Sequence, residues 1–346
     1  MENFNNWNPY TEFNNVFSPG LGTYRGDPAR FSVDQSIAPR FFKARPVPWA
    51  YRSRVDEEID CLGKAGIIRP IDSSDWAAPV VPVLKGDGSI RLCGDYKVTI
   101  NQCSPLNRYP LPHVKDLFIK LAGARYFSKI DLSQAYLQLP VHKDDQLLLA
   151  INTSKGLYAP TRLPFGVASA PSIFQREMDS LLKVVEREEG RAMKVACFQD
   201  DIVIASSTRD QHVQDVNAVL RKISDKGLKL QKSKCVFAAE EILYLGHRLS
   251  FQGIQPCADK VAAIKDAPAP QDVSQLRSFL GALEYYSDFM PSKSSILHPL
   301  HALLRKGVHW KWHKHHQHAF QVAKKRLMLG QSAHSLRRIE AFNFVA

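Results

Sequence analysis

The chain has 346 residues, 45% of them hydrophobic and 10% aromatic, enough apolar material for a packed core and too much for a disordered chain. Its 46 Lys and Arg against 34 Asp and Glu leave a formal net charge of +12, which favours an anionic partner, nucleic acid first. The longest apolar runs, Ala77–Leu84 and Leu147–Ile151, fall far short of the ~20 residues of a membrane helix, and the Asn-rich start lacks the regions of a secretory signal; neither a membrane nor a secreted protein is expected.

Residues 1–50 are rich in Asn, Pro and Gly without sustained periodicity and read as an irregular lead-in. A helix is expected at about Ser53–Lys64, where Val55, Ile59 and Leu62 share a face and Gly66 supplies the stop. Val80–Leu84 and Ser89–Cys93 read as a hairpin turning through Gly86-Asp87-Gly88. Val114, Leu117, Phe118 and Leu121 mark a helix closed by Gly123, and Tyr126–Asp131 is a strand entering a polar turn. Pro171 opens a helix with an apolar face of Phe174, Met178, Leu181, Leu182 and Val185, and the charged run Glu186–Arg191 is expected to interrupt it as a surface loop. Two apolar strands, Val195–Phe198 and Ile202–Ala205, are separated only by Gln199-Asp200-Asp201. Val213, Val216, Leu220 and Ile223 mark a helix ending at Gly227. A strand pair surrounds Gly246, and helices follow at about Asp259–Asp266 and Ser274–Tyr286, parted by the Pro-rich Ala267–Pro270. Without a βαβ rhythm, and with a hairpin as the tightest strand pair, the fold class is α+β with an antiparallel sheet.

From Arg305 on, nine Lys and Arg face the single acid Glu340, and eight of the twelve His lie after Leu297. His313, His315, His316 and His318 have no Cys or carboxylate among them, which favours a solvated basic segment over a metal site. The six cysteines form no CxxC pair, so a reducing, intracellular compartment (cytoplasm or nucleus) is expected rather than a zinc module or disulfide scaffold.

Asp200 and Asp201 occupy the tip of an apolar hairpin. Asp is a favoured turn residue, but a turn needs only one, and adjacent carboxylates repel. Asp131 ends an apolar strand upstream; if that strand neighbours the hairpin, the three carboxylates supply hard oxygen ligands for two Mg²⁺ ions and phosphoryl transfer.

With these residues in place, the chain resembles the reverse transcriptase of gypsy-type LTR retrotransposons from about Ser18 to Leu329. The motifs stand in family order: Trp76-Ala-Ala-Pro-Val-Val-Pro-Val, Gly86-Asp-Gly-Ser, Cys93-Gly-Asp-Tyr96, Phe127-Ser-Lys-Ile-Asp-Leu-Ser-Gln-Ala-Tyr136, Leu163-Pro-Phe-Gly-Val-Ala-Ser-Ala-Pro-Ser-Ile-Phe-Gln175, Phe198-Gln-Asp-Asp201, Gly227-Leu-Lys-Leu230 with Lys234-Cys235, Tyr244-Leu-Gly-His247, and Leu276-Arg-Ser-Phe-Leu-Gly281. The resemblance implies a right-hand polymerase with an antiparallel palm sheet and a helical thumb: a lead-in at 1–50, fingers and palm at 51–250, thumb at 251–295, the start of a connection or RNase H-like segment at 296–329, and an unassigned tail at 330–346.

It implies further that Asp131, Asp200 and Asp201, with the Leu132 carbonyl, bind two Mg²⁺ (or Mn²⁺) ions for RNA-directed DNA synthesis. The partners implied are dNTPs and a primed RNA or DNA template. Lys85 and Arg91 would contact the triphosphate, Tyr136 would gate the sugar, and Phe165-Gly166 would pack near the nucleotide. Lys234 or Lys232 would approach the departing pyrophosphate, and Tyr244-Leu245-Gly246-His247 would grip the primer. Phe198 replaces the family's usual Tyr, and the Glu186–Arg191 loop enters just before the metal hairpin. Trp310-Lys-Trp312 and His318-Ala-Phe320 resemble the approach to an RNase H domain, after which the family pattern stops, as expected of a polyprotein fragment. The alternative is a degenerate or domesticated retroelement remnant that binds nucleic acid without catalysis.

Overall fold

The computed structural model describes residues 7–34, 36–86, 88–104, 109–290 and 293–333. They divide into two compact units, the first built from Met1–His113, Ser128–Ile204 and Arg209–Phe237, the second from Val114–Phe127, Ala205–Thr208 and Ala238–Ala346.

The first nine strands are Ile68–Pro70 (β1), Ala78–Leu84 (β2), Ile90–Gly94 (β3), Tyr126–Asp131 (β4), Ile151–Thr153 (β5), Gly156–Pro160 (β6), Lys194–Phe198 (β7), Asp201–Ser206 (β8) and Val236–Ala239 (β9), of which β4, β8 and β9 have residues in both units. One sheet runs β1-β6-β5-β2-β3. Within it β2 and β3 form the expected antiparallel hairpin, pairing Val83 with Arg91, while β2 and β5 run parallel at Ala78 and Ile151. The β5–β6 pair does not follow from the sequence, because its strands are short and carry little alternation. Of the Gly86-Asp87-Gly88 turn, Asp87 lies outside the described residues.

The second sheet runs β7-β8-β4-β9. Two intervening residues can join β7 to β8 only as a hairpin. The amide of Leu132 donates to Asp200 O (3.2 Å) and that of Arg125 to Ser206 O (3.0 Å), so β4 lies antiparallel to β8. This register brings the end of β4 beside the hairpin tip.

The Arg52–Lys64 helix buries Val55 and Ile59, one turn apart. The Ala170–Glu188 helix buries Phe174, Met178, Leu181, Leu182 and Val185, as their spacing predicts. It also runs on through Glu186, Arg187 and Glu188 and ends only at Gly190 (φ 67°), so the expected loop shrinks to a turn. Those three residues are good helix formers, and Glu188 is held by Lys222 at 2.5 Å. The Arg209–Asp225 helix buries Val213, Val216, Leu220 and Ile223 completely and is followed by Gly227 (φ 71°).

The lead-in is irregular but not loose. It carries single-turn helices at Pro9–Glu12 and Asn14–Phe17, and Val16, Tyr24, Ala29, Phe31 and Val47 enter the core. Its backbone is bonded to distant segments, Tyr24 N–H to Gln138 O at 2.8 Å and Arg25 N–H to Lys226 O at 2.9 Å. Such strap contacts leave no periodic trace in a sequence.

In the second unit Glu241–Tyr244 (β10), His247–Ser250 (β11) and Gly253–Pro256 (β12) form an antiparallel meander. The Val114–Leu121 helix buries Leu117, Phe118 and Leu121. Helices follow at Ala258–Asp266, Val273–Tyr285, Lys293–Ala302 and Lys314–Ala333. Leu276, Phe279, Leu280, Leu283 and Tyr286 form the expected apolar stripe and pack with Leu300 and Phe320. Residues 334–346 of the tail lie outside the described residues. Among the described residues, no helix is long and apolar enough to cross a membrane.

Candidate active site

The β7–β8 turn has Gln199 and Asp200 as its central residues, and of the two only Gln199 has a positive φ, 56°. That is the pattern of a type II′ turn, which normally takes Gly at this place. A residue with a side chain there is strained by about 1–3 kcal/mol, so the surroundings must hold it. Gln175, fully buried on the Ala170–Glu188 helix, does so: its Oε1 accepts the Gln199 N–H (2.8 Å), and its Nε2 donates to Cys197 O (3.0 Å) and Asp179 Oδ1 (2.9 Å). Tyr109 Oη donates to Asp179 Oδ2 at 2.6 Å. In the sequence Gln175 stands out only as an amide side chain on an otherwise apolar helix face.

Asp131, buried at the end of β4, has Lys234 Nζ 3.4 Å from both carboxylate oxygens. Burial raises its pKa; the charge and hydrogen bond of Lys234 oppose this, while the charges of Asp200 and Asp201 add to it. Asp131 and Asp200 line one cleft. Asp201, the first residue of β8, instead pairs with Lys129 at 3.0 Å. Among the described residues, no three His, Cys, Asp or Glu side chains converge closely enough to hold an ion. The three carboxylates nevertheless stand at the end of β4 and at the β7–β8 tip, and the charges of Asp200 and Asp201 both act on Asp131. Asp131 and Asp200 still offer a purely oxygen, anionic donor set, which suits a hard divalent cation such as Mg²⁺. Leu132 lines the same cleft, its amide fixed on Asp200 O.

The cleft has a volume of about 600 Å³, and Lys85, Arg91, Tyr136, Phe165 and Lys234 also line it. The Arg91 guanidinium lies over the Phe165 ring, 4.7 Å from its centroid. Phe165 in turn lies 5.6 Å from Tyr136, whose ring rests 5.4 Å from Phe174. The Tyr136 hydroxyl pKa is pushed up to about 12, by burial first and then by the charge of Asp200. Gly166 has φ 98°, and a Cβ there would stand 2.6 Å from Gly94 O; only Gly fits. Lys232 lies over Tyr10 at 4.8 Å, so of the two candidate lysines Lys234 is the one beside Asp131.

Tyr244, Leu245, Gly246 and His247 belong to the second unit. Leu245 (φ 44°) and Gly246 (φ 67°) are both left-handed, the type I′ hairpin geometry. Tyr285 Oη donates to Leu245 O (2.6 Å) and Tyr286 Oη to Gly246 O (3.0 Å), tying the turn to the end of the Val273–Tyr285 helix. Tyr244 and His247 are buried against Phe118, with ring centroids at 6.2 and 4.9 Å, and burial lowers the His247 pKa. Their side chains therefore shape the turn from inside.

Residues 83–249 match the family described as reverse transcriptase (RNA-dependent DNA polymerase). The chain is 37% identical over 286 residues to the uncharacterized protein K02A2.6 of Caenorhabditis elegans, covering 81% of this chain and 22% of that protein. It is 34% identical over 267 residues to the transposon Tf2-3 polyprotein of Schizosaccharomyces pombe, covering 77% and 20%. The chain thus spans about a fifth of the length of these curated relatives. Among solved structures, a foamy viral protease-reverse transcriptase in complex with double-stranded DNA superposes with a TM-score of 0.83 at 23% identity, over 92% of this chain and 55% of that one. The same kind of protein in complex with an RNA/DNA hybrid gives 0.80 at 23% identity, over 92% and 43%.

Proposed function

The chain carries a reverse transcriptase domain of the retrotransposon kind in a right-hand polymerase fold, and from that premise we propose that it is an RNA-directed DNA polymerase of the gypsy type, extending a primer 3′-hydroxyl with dNTPs on an RNA or DNA template. The observation that carries this reading is one cleft in which two carboxylates, Asp131 and Asp200, meet two cations, Lys85 and Arg91, and two aromatic rings, Tyr136 and Phe165. A triphosphate ester and a sugar need that combination of charge and flat apolar surface.

Asp131, Asp200 and Asp201 form the anionic centre and, with the Leu132 carbonyl, would hold Mg²⁺ or Mn²⁺. A bound pair of these ions supplies charge neutralisation at the attacking and leaving oxygens. Arg91, pre-oriented on Phe165, donates its planar fork to the phosphates, and Lys85 adds a point charge on the same hairpin. Tyr136, braced by Phe165 and Phe174, lies under the sugar and rejects a 2′-hydroxyl by clash. Lys234 neutralises the departing pyrophosphate, and the Tyr244–His247 turn positions the primer end. We assign fingers and palm to residues 51–250, the thumb to 251–295 and the start of a connection segment to 296–329.

A labelled primer annealed to RNA or to DNA, incubated with the purified chain, dNTPs and Mg²⁺ or Mn²⁺, tests the proposal. Extension is expected on both templates. Duplex binding without extension under either metal assigns the chain to the non-catalytic remnant instead.

A further inference from the structure

The sequence reads His313–His318 as a solvated basic segment, but His316 is only 5% exposed. It is the third residue of the Lys314–Ala333 helix, and its ring centroid lies 3.8 Å from that of His315 and 5.7 Å from that of His313. Trp312, which packs on Phe320 of the second unit's core, lies 5.7 Å from the same ring. The His313 backbone N–H, just ahead of the helix, donates to His316 Nδ1 at 3.0 Å, and Gln317 N–H donates to His313 O at 3.1 Å. That is half of a capping box, with an imidazole where Glu or Gln normally reaches back. An imidazole can accept only while it is neutral, because His⁺ donates from both nitrogens.

We propose that His316 is an acid-sensitive latch of this helix: neutral, it caps the first turn and holds Trp312 on the core; protonated, it gives up the His313 amide and lets that turn open. The charges around it favour release. Burial and the charges of His315 and His313 lower its pKa from the ordinary 6.5, and a hydrogen bond with the Lys311 backbone opposes them. The positive end of the helix dipole adds to the repulsion, and residues 305–316 contain no Asp or Glu. On the elements packed against the helix, Lys293 pairs with Glu284 and Asp288 with Lys115, at 2.7 Å each. Asp259, Lys260, Lys265, Asp266, Arg277, His298 and His301 are exposed, and no carboxylate of these elements offsets the charge that His316 would gain. Because the native pKa is depressed, the contribution of the cap is complete above pH 6.5 and is lost as pH falls through the native value. The latch involves neither nucleotide nor nucleic acid, so the chain alone suffices to test it.

Nitrogen-15 NMR of the imidazoles in the full chain reads tautomer and titration, and amide hydrogen exchange, corrected for its intrinsic pH dependence, reads opening of the first turn. At pH 7.5 His316 should carry its proton on Nε2, and it should titrate below pH 6.5. Between pH 7.5 and pH 5 the protection of the His313 and Gln317 amides should fall about tenfold in the wild type, while the Ala323–Leu327 amides of the same helix stay protected. His316→Gln, whose side-chain oxygen accepts at any pH, should hold that protection within about twofold over the same range. His316→Leu, which cannot accept, should show the low protection already at pH 7.5. A proton on Nδ1 at pH 7.5, no acid loss of protection in the wild type, or an equal loss in His316→Gln overturns the proposal. Should either variant fail to fold, the wild-type tautomer and the acid loss confined to the first turn still decide.

Discussion

Gly166 and Tyr136 impose different constraints on the same cleft, and substitution separates them. At Gly166 the restriction is backbone: φ is 98° and a Cβ would press on Gly94 O at 2.6 Å. Gly166→Ala should therefore cost about 1–3 kcal/mol, read as a lower urea midpoint at unchanged slope. At Tyr136 the restriction is the ring, in tilted contact with both Phe165 and Phe174. Tyr136→Ala should raise ribonucleotide incorporation relative to deoxyribonucleotide in competition assays; equal loss of both would show that the ring only packs. These residues were legible because motif letters carry them. Gln175 and Lys129 were not, since an amide or an ammonium inside a motif says nothing of its partner until β4, β8 and the Ala170–Glu188 helix are set beside one another.

Elements were most legible where burial is periodic. The helices carrying Phe174 and Val213 and the strand ending at Asp131 follow from spacing alone, while the N-terminal strap and the β5–β6 pair do not, because their partners are far away in sequence. The β4 strand is tied to the Arg209–Asp225 helix by a buried polar contact, Ser128 Oγ to His212 Nε2 at 2.7 Å. Burial lowers the His212 pKa to about 4, with the charge of Asp215 opposing. A depressed His pKa means the native state favours the neutral ring. The unfolded chain then binds the extra proton between its own pKa near 6.5 and the native value, so stability falls as pH drops through that window and levels off below it. The full effect is about 3 kcal/mol. Melting at pH 7 and pH 4.5 should show a smaller drop for Ser128→Ala/His212→Leu than for the wild type; equal drops would place the acid sensitivity elsewhere.

For the whole molecule, a net charge of +12 means that binding the proposed template–primer duplex should release counterions. Template–primer affinity should fall linearly in log–log form with added salt, with a slope of several units, and should be nearly blind to sequence. That basic excess was plain from composition, whereas the sorting of charges inside the cleft needed the fold. Asp200 lies on a turn and faces the cleft, so Asp200→Asn changes a charge with little change in shape. Primer extension by the wild type and by Asp200→Asn, with melting temperature and duplex affinity taken on the same preparations, is the most direct test of the polymerase assignment. The account predicts a loss of at least about a thousandfold in extension, with melting temperature and duplex affinity preserved. Equal extension by both proteins would contradict it.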